Sequence, residues 1–182
     1  RTPEVFEEKV KWPLEPEDSD TSEFWGSGNY ESAVSHMGDI RRQVEEDILV
    51  GAAVRMSVAA AKEKYGNRLT IASLGAVPKE PGSEVVRILY DGTNQVHTNN
   101  RIRVRDRARC PMIEDLEAML REIEDAGDGE AHFVIVYDIS KAHRLVPVRE
   151  VDWGLQAFQL TGEPRDEDEV VMYCCGTFGI AS

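Results

Sequence analysis

The spacing of apolar side chains predicts two helices in the first third of the chain. Between Tyr30 and Ile48 these side chains recur every three or four residues, as on one face of an amphipathic α-helix. Gly51 follows at a position suited to the end of that helix. A shorter helix is predicted over residues 57–65, because Ser57 is a favourable N-cap residue.

A third amphipathic helix is predicted after Pro111, since proline suits the first position of a helix. Gly127 is placed to end this helix. Its apolar stripe consists of Met112, Ile113, Leu116, Met119, Leu120 and Ile123.

Extended segments bounded by turn residues predict two hairpins, formed by residues 69–77 with 84–90 and by residues 155–160 with 170–174. Residues 133–137 are almost all apolar, which is typical of a strand buried on both faces. This strand would carry Asp138 at its C-terminal end, either as a catalytic group aimed at a cleft or as a cap or turn residue. Helices combined with antiparallel hairpins around a small sheet predict the α+β class.

Composition limits the class of protein. The chain has 182 residues, of which 41% are hydrophobic and 30% charged, enough for a folded core. Its net charge of −13 argues against binding nucleic acid through overall positive charge. The longest apolar run, about seven residues, is too short to span a membrane. An odd count of three cysteines favours a reducing intracellular compartment, nucleus or cytoplasm.

Charge is distributed in blocks. Residues 1–29 contain eight acidic residues and three basic ones, and we expect this segment to be disordered. Residues 79–110 carry seven bases against four acids, and five of these bases are alternating arginines. In an extended segment such arginines project to one side, where they would pair with the acidic helix that follows or contact a nucleic-acid backbone. The five are Arg101, Arg103, Arg105, Arg107 and Arg109.

Residues 137–148, with the sequence YDISKAHRLVPV, carry a family resemblance. They resemble the first catalytic motif of retroelement reverse transcriptases, in which an Asp after a hydrophobic strand precedes Ala, an aromatic residue and an apolar-Pro-apolar triplet. Further segments resemble the family in its own order, and the resemblance covers roughly residues 40–182. These segments are residues 76–83, 86–94, 111–116, 156–158 and 176–182.

The resemblance implies a right-hand polymerase fold, with a fingers-like subdomain over residues 30–110 and the first part of the palm over residues 111–182. It implies that Asp138, helped by the backbone carbonyl of Ile139, binds Mg²⁺ or Mn²⁺. The implied partners are a template-primer nucleic acid and a deoxynucleoside triphosphate (dNTP). Of the other implied contacts, Lys79 and Arg87 meet the phosphates, His143 the sugar, Phe178 and Gly179 the base pair, and Arg101, Arg103 and Arg105 the nucleic acid.

The family's later aromatic-x-Asp-Asp motif is absent from the sequence. We therefore expect the chain, which begins at Arg1, to be a piece of a longer protein and to be inactive alone. Structural alternatives remain for the implied residues: exposed hairpin bases for Lys79 and Arg87, and a packed helix-start residue for His143. The alternative for the whole chain is a non-catalytic acidic interaction module derived from such an enzyme.

Overall fold

The computed structural model describes residues 28–94, 96–99, 112–127, 135–136, 138–160 and 169–180, together with the backbone of residues 9–10 and 103–104. Its α-helices are α1 (Glu31–Ser35), α2 (Met37–Leu49), α3 (Val58–Tyr65) and α4 (Ile113–Ala126). Short 3₁₀ helices span Gly66–Arg68, Ala142–Leu145 and Glu150–Gln156.

The strands are β1 (Lys9–Val10), β2 (Ala53–Ser57), β3 (Ile71–Ala72), β4 (Leu74–Pro78), β5 (Val86–Tyr90), β6 (Arg103–Val104), β7 (Ala157–Phe158) and β8 (Glu169–Tyr173). A four-stranded sheet has the order β2-β8-β7-β3, with only the β3–β7 pair parallel. A separate hairpin pairs β4 with β5, and β1 pairs with β6. The α+β class predicted from the sequence is confirmed.

The four-stranded sheet is covered on both faces, and strand β8 shows this most clearly. Val171 and Tyr173 belong to a core cluster shared with α1, α2 and the β4–β5 hairpin. Val170 and Met172 belong to a second cluster shared with α3. Because alternate side chains of a strand point to opposite faces, β8 contributes to both clusters and is buried on both sides.

The residues predicted to cap helices and form turns mostly do so in the structure. The side chain of Ser57 accepts a hydrogen bond from the backbone of Ala60 and caps α3. Gly82 has a φ of +76°, which lets the β4–β5 connection turn tightly. The helix predicted between Tyr30 and Ile48 is interrupted at His36, so that α1 and α2 are distinct.

The predicted buried strand over residues 133–137 is wrong for the two of its residues that the structure describes. Ile135 and Val136 have no strand structure and are 69% and 89% exposed. An apolar run becomes a central strand only if two neighbouring strands flank it. In this sheet the doubly buried position is occupied by β8, which has β2 on one side and β7 on the other.

Strand β2 was not among the predicted elements. Its five residues pair along their whole length with β8. Four of them are only partly buried or exposed, so the apolar pattern is weak. The pairing with β8, rather than local preference, explains why this segment is extended.

Candidate functional site

A cleft of about 630 Å³ lies between α2, the β4–β5 hairpin and the segment 138–144. Its lining draws on four parts of the chain that are distant in sequence. Six of the residues that the sequence singled out line this cleft together: Lys79, Arg87, Asp138, Ile139, His143 and Phe178.

The β4–β5 hairpin forms the first wall. Val86, Ile88 and Tyr90 are buried while Arg87 between them is exposed, as expected for a strand with one face on the core. The backbone of Lys79 donates a hydrogen bond to the carbonyl of Val85, which extends the hairpin beyond β4. Lys79 and Arg87 therefore belong to the same hydrogen-bonded hairpin.

The segment 138–148 forms the second wall, and its backbone is tied to the residues that follow β8. Val148 donates a hydrogen bond to the carbonyl of Cys174 at 2.9 Å, and Gly176 donates one to Val146 at 2.9 Å. A β-carbon at Gly176 would overlap the carbonyl of His143, so this approach requires glycine. The wall is held by long-range pairing, since its only regular structure is a short 3₁₀ helix.

Hydrogen bonds from β5 and from the segment after it position Phe178 and Gly179. The backbone of Tyr90 donates a hydrogen bond to the carbonyl of Phe178 at 2.9 Å. The side-chain amide of Asn99 donates one to the carbonyl of Gly179 at 2.8 Å. Gly179 has a φ of +101°, and a β-carbon there would overlap the Tyr90 carbonyl. Gly179 is thus adjacent to the cleft and fixes Phe178 within it.

His143 packs against Phe178, with ring centroids 4.0 Å apart and ring planes inclined by 44°. Burial lowers the pKa of His143 below its usual value, and the nearby cations Arg144 and Lys141 lower it further. His143 is therefore predominantly neutral at neutral pH, and its ring offers an aromatic surface rather than a charge. The packing against Phe178 is what the packed-histidine alternative predicts, and contact of His143 with a sugar stays a prediction.

Sequence reasoning missed a buried ion pair beside the cleft. A guanidinium nitrogen of Arg144 lies 2.8 Å from a carboxylate oxygen of Asp47, and both side chains are mostly buried. The same guanidinium group lies over the ring of Tyr173, 3.9 Å from its centroid. One signal was available: Asp47 falls on the otherwise apolar stripe of α2 with Ile40 and Val44, and a buried acid requires a partner.

The cleft is positive although the protein is acidic. Lys79, Arg87 and Lys141 line it and form no ion pair with any residue in the described part of the chain. Arg144 and Asp47 neutralise each other. Among the lining residues that the structure describes, Asp138 is then the only acid without an ionic partner, which leaves a formal charge of +2. Clefts of one sign concentrate ligands of the opposite sign.

The donor set at the cleft suits a hard cation but is small. Asp138 supplies an exposed carboxylate, and carboxylate and carbonyl oxygens are the ligands that Mg²⁺ prefers. Within the residues whose placement is described, no group of three or more His, Cys, Asp or Glu side chains could hold a metal ion. Asp138 and Ile139 both line the cleft, and their binding of Mg²⁺ or Mn²⁺ stays a prediction.

The predicted nucleic-acid contacts fall largely outside the described residues. Arg101 and Arg105 are among these, and of Arg103 only the backbone in β6 is described, opposite Val10. Their contact with nucleic acid, or with the acidic helix, stays a prediction. None of the helices in the described ranges has the length and apolar character that crossing a bilayer requires.

Comparison of the sequence with protein-family models and with curated proteins finds no match. The residues of the cleft and the motif resemblance are therefore the basis for a functional proposal.

Proposed function

We propose that this chain forms the fingers and the first part of the palm of a retroelement-type RNA-directed DNA polymerase, with the cleft as the site of the incoming dNTP. One observation supports the proposal above all others. Six residues, assigned to metal or nucleotide on motif resemblance alone, line one cleft. They come from β5, from the segments after β4 and β8, and from residues 138–143. The resemblance assigned each residue separately, without any information that the six lie together.

The chemistry of the cleft is consistent with nucleotidyl transfer. In that reaction the primer 3′-hydroxyl attacks the α-phosphorus of the dNTP, and pyrophosphate leaves. Lys79 and Arg87 would stabilise the negative charge that develops on the phosphate oxygens. The paired rings of His143 and Phe178 would lie against the sugar and the base pair.

Asp138 and the carbonyl of Ile139 would hold Mg²⁺, which when bound neutralises phosphate charge and favours ionisation of the primer hydroxyl. The family supplies more aspartates from its later motif, which this sequence lacks. We therefore expect the 182-residue chain to bind dNTP without extending a primer. Template-primer nucleic acid and dNTP would be its partners in the complete enzyme, inside the cell.

The test is primer extension by the chain together with the sequence that follows it in its gene. Asp138→Asn should abolish extension and leave template binding nearly unchanged, because a neutral amide is a poor magnesium ligand. Asp125→Asn, the same change on the exposed helix α4, is the matched control and should extend normally. Extension by Asp138→Asn at the rate of the unchanged protein would contradict the assignment of Asp138.

The competing function is a non-catalytic acidic interaction module derived from such an enzyme. The net charge of −13 favours it, as does the fact that Asp138 is the one acid without an ionic partner among the described residues of the cleft lining. The polymerase and the interaction module predict different sequences after residue 182 in the gene. An aromatic-x-Asp-Asp motif within about the next hundred residues supports the polymerase, and a stop codon supports the module.

A further inference from the structure

The backbone of Lys141 has a conformation that residues other than glycine rarely adopt. Its φ is +52° and its ψ is +38°, in the left-handed region. Within the described ranges, only His97 shares a positive φ without being glycine. Glycine and asparagine are the residues that this region favours. A lysine is therefore not the residue that this turn alone would favour.

The turn that carries Lys141 is fixed on both sides. Ala142 donates a hydrogen bond to the carbonyl of Ile139, and Arg144 donates one to the carbonyl of Lys141 at 2.8 Å. Arg144 is held in turn by Asp47. The Lys141 side chain is thus presented to the cleft from a defined backbone, three residues after Asp138.

The positive side chains of the cleft come from both of its walls. Lys79 and Arg87 belong to the hairpin, whereas Lys141 belongs to the segment that forms the other wall. All three are exposed and lack an ionic partner in the described residues. A linear anion lying along the cleft would therefore meet cations from both walls.

We propose that Lys141 is the third cation of a polyphosphate-binding site that it forms with Lys79 and Arg87. The ligand class is a chain of phosphates, as in the β and γ positions of a nucleoside triphosphate. That the ligand carries a nucleoside rests on the proposed function. The phosphate contact itself rests on the charge and the lining of the cleft.

Variants can separate charge from backbone effects. Lys141→Asn removes the charge and keeps a residue that tolerates the left-handed conformation. Lys141→Arg keeps the charge. Arg121→Gln is the matched control, because it removes one positive charge from a side chain that is 77% exposed on α4, outside the cleft lining.

The experiment is isothermal titration of the 182-residue chain with inorganic tripolyphosphate, dTTP and thymidine, in EDTA so that no metal contributes. Lys141→Asn should weaken tripolyphosphate and dTTP binding about tenfold, as expected for loss of one charge-assisted contact. Lys141→Arg and Arg121→Gln should each stay within about twofold of the unchanged chain. The affinity of Lys141→Asn should also fall less steeply with salt.

The outcomes distinguish this inference from the proposed function. Tripolyphosphate binding that weakens in Lys141→Asn, with dTTP bound no more tightly than tripolyphosphate, supports the Lys141 contact and contradicts a dNTP site. Tight dTTP binding that Lys141→Asn leaves unchanged supports the dNTP site and overturns the Lys141 contact. No tripolyphosphate binding by the unchanged chain overturns the Lys141 contact as well.

Discussion

Helix α4 and the segment 138–148 show opposite relations between local pattern and tertiary contact. Helix α4 has a strong amphipathic pattern and forms as predicted, yet none of its residues is buried. The segment 138–148 has little regular structure, yet hydrogen bonds to Cys174 and Gly176 and the ion pair of Arg144 hold it in place. Helix α4 therefore forms without burying any of its residues, whereas the geometry of the cleft depends on contacts between distant residues.

The difference has a direct physical cause. Helix α4 satisfies its own backbone, and its ends are stabilised locally: Asp115 accepts a hydrogen bond from the backbone of Met112, and Gly127 adopts the left-handed conformation. The cleft wall cannot satisfy its backbone alone. Changes at its anchoring points should therefore cost much more stability than changes on α4.

The largest effect is expected at Gly179. Gly179→Ala places a β-carbon against the Tyr90 carbonyl at a positive φ, so we expect the free energy of unfolding to fall by about 4 kcal/mol. Gly38→Ala in α2 meets no atom within 4 Å and should instead raise it by about 0.5 kcal/mol. Urea unfolding measures both. Similar values for the two variants would contradict the close approach at Gly179.

The buried ion pair should give the next largest effect. Asp47→Asn leaves the Arg144 guanidinium buried without a counter-charge, which we expect to cost about 3 kcal/mol of unfolding free energy. Adding Arg144→Met should recover part of that loss, because no uncompensated charge is then buried. If the two single losses simply add in the double variant, Asp47 and Arg144 are not coupled as described.

Acidification should weaken the fold modestly through His143. Because burial lowers the folded-state pKa below the ordinary 6.5, the unfolded chain binds the proton more readily. The contribution of His143 is therefore complete above pH 6.5 and is lost as the pH falls from there to the folded-state pKa. Nuclear magnetic resonance titration should give a pKa for His143 below 6.5, and a value at or above 6.5 would contradict burial as the dominant influence on that pKa.

The smallest effect is expected on α4. Leu120→Ser should change the free energy of unfolding by less than about 1 kcal/mol, because Leu120 is exposed and belongs to neither core cluster. Ile40→Ala, in the core face of α2, should cost about 3 kcal/mol. Urea unfolding compares the two, and a loss at Leu120 as large as that at Ile40 would mean that the α4 stripe is packed in solution.

The sequence predicted individual residues of the candidate site but not that they lie together in one cleft. The motif resemblance selected Asp138, and hairpin patterning placed Lys79 and Arg87 near a turn. Lys141 and the Asp47–Arg144 pair were not selected, because their importance depends on a backbone angle and on a contact across 97 positions of sequence. The backbone angle of Lys141 leaves no periodic signal, and the ion pair leaves one only through Asp47, an acid on the apolar stripe of α2.

For this protein, local sequence alone determined the α3 cap at Ser57, the α4 helix and the β4–β5 hairpin, since each depends on residues close together in the chain. Tertiary structure decided which apolar run became the doubly buried strand: β8 took that position, while Ile135 and Val136 stayed exposed. Both runs are apolar, and burial depends on which neighbours pair with each strand. For the same reason, only the folded chain could bring Lys79, Asp138 and Phe178 to one cleft.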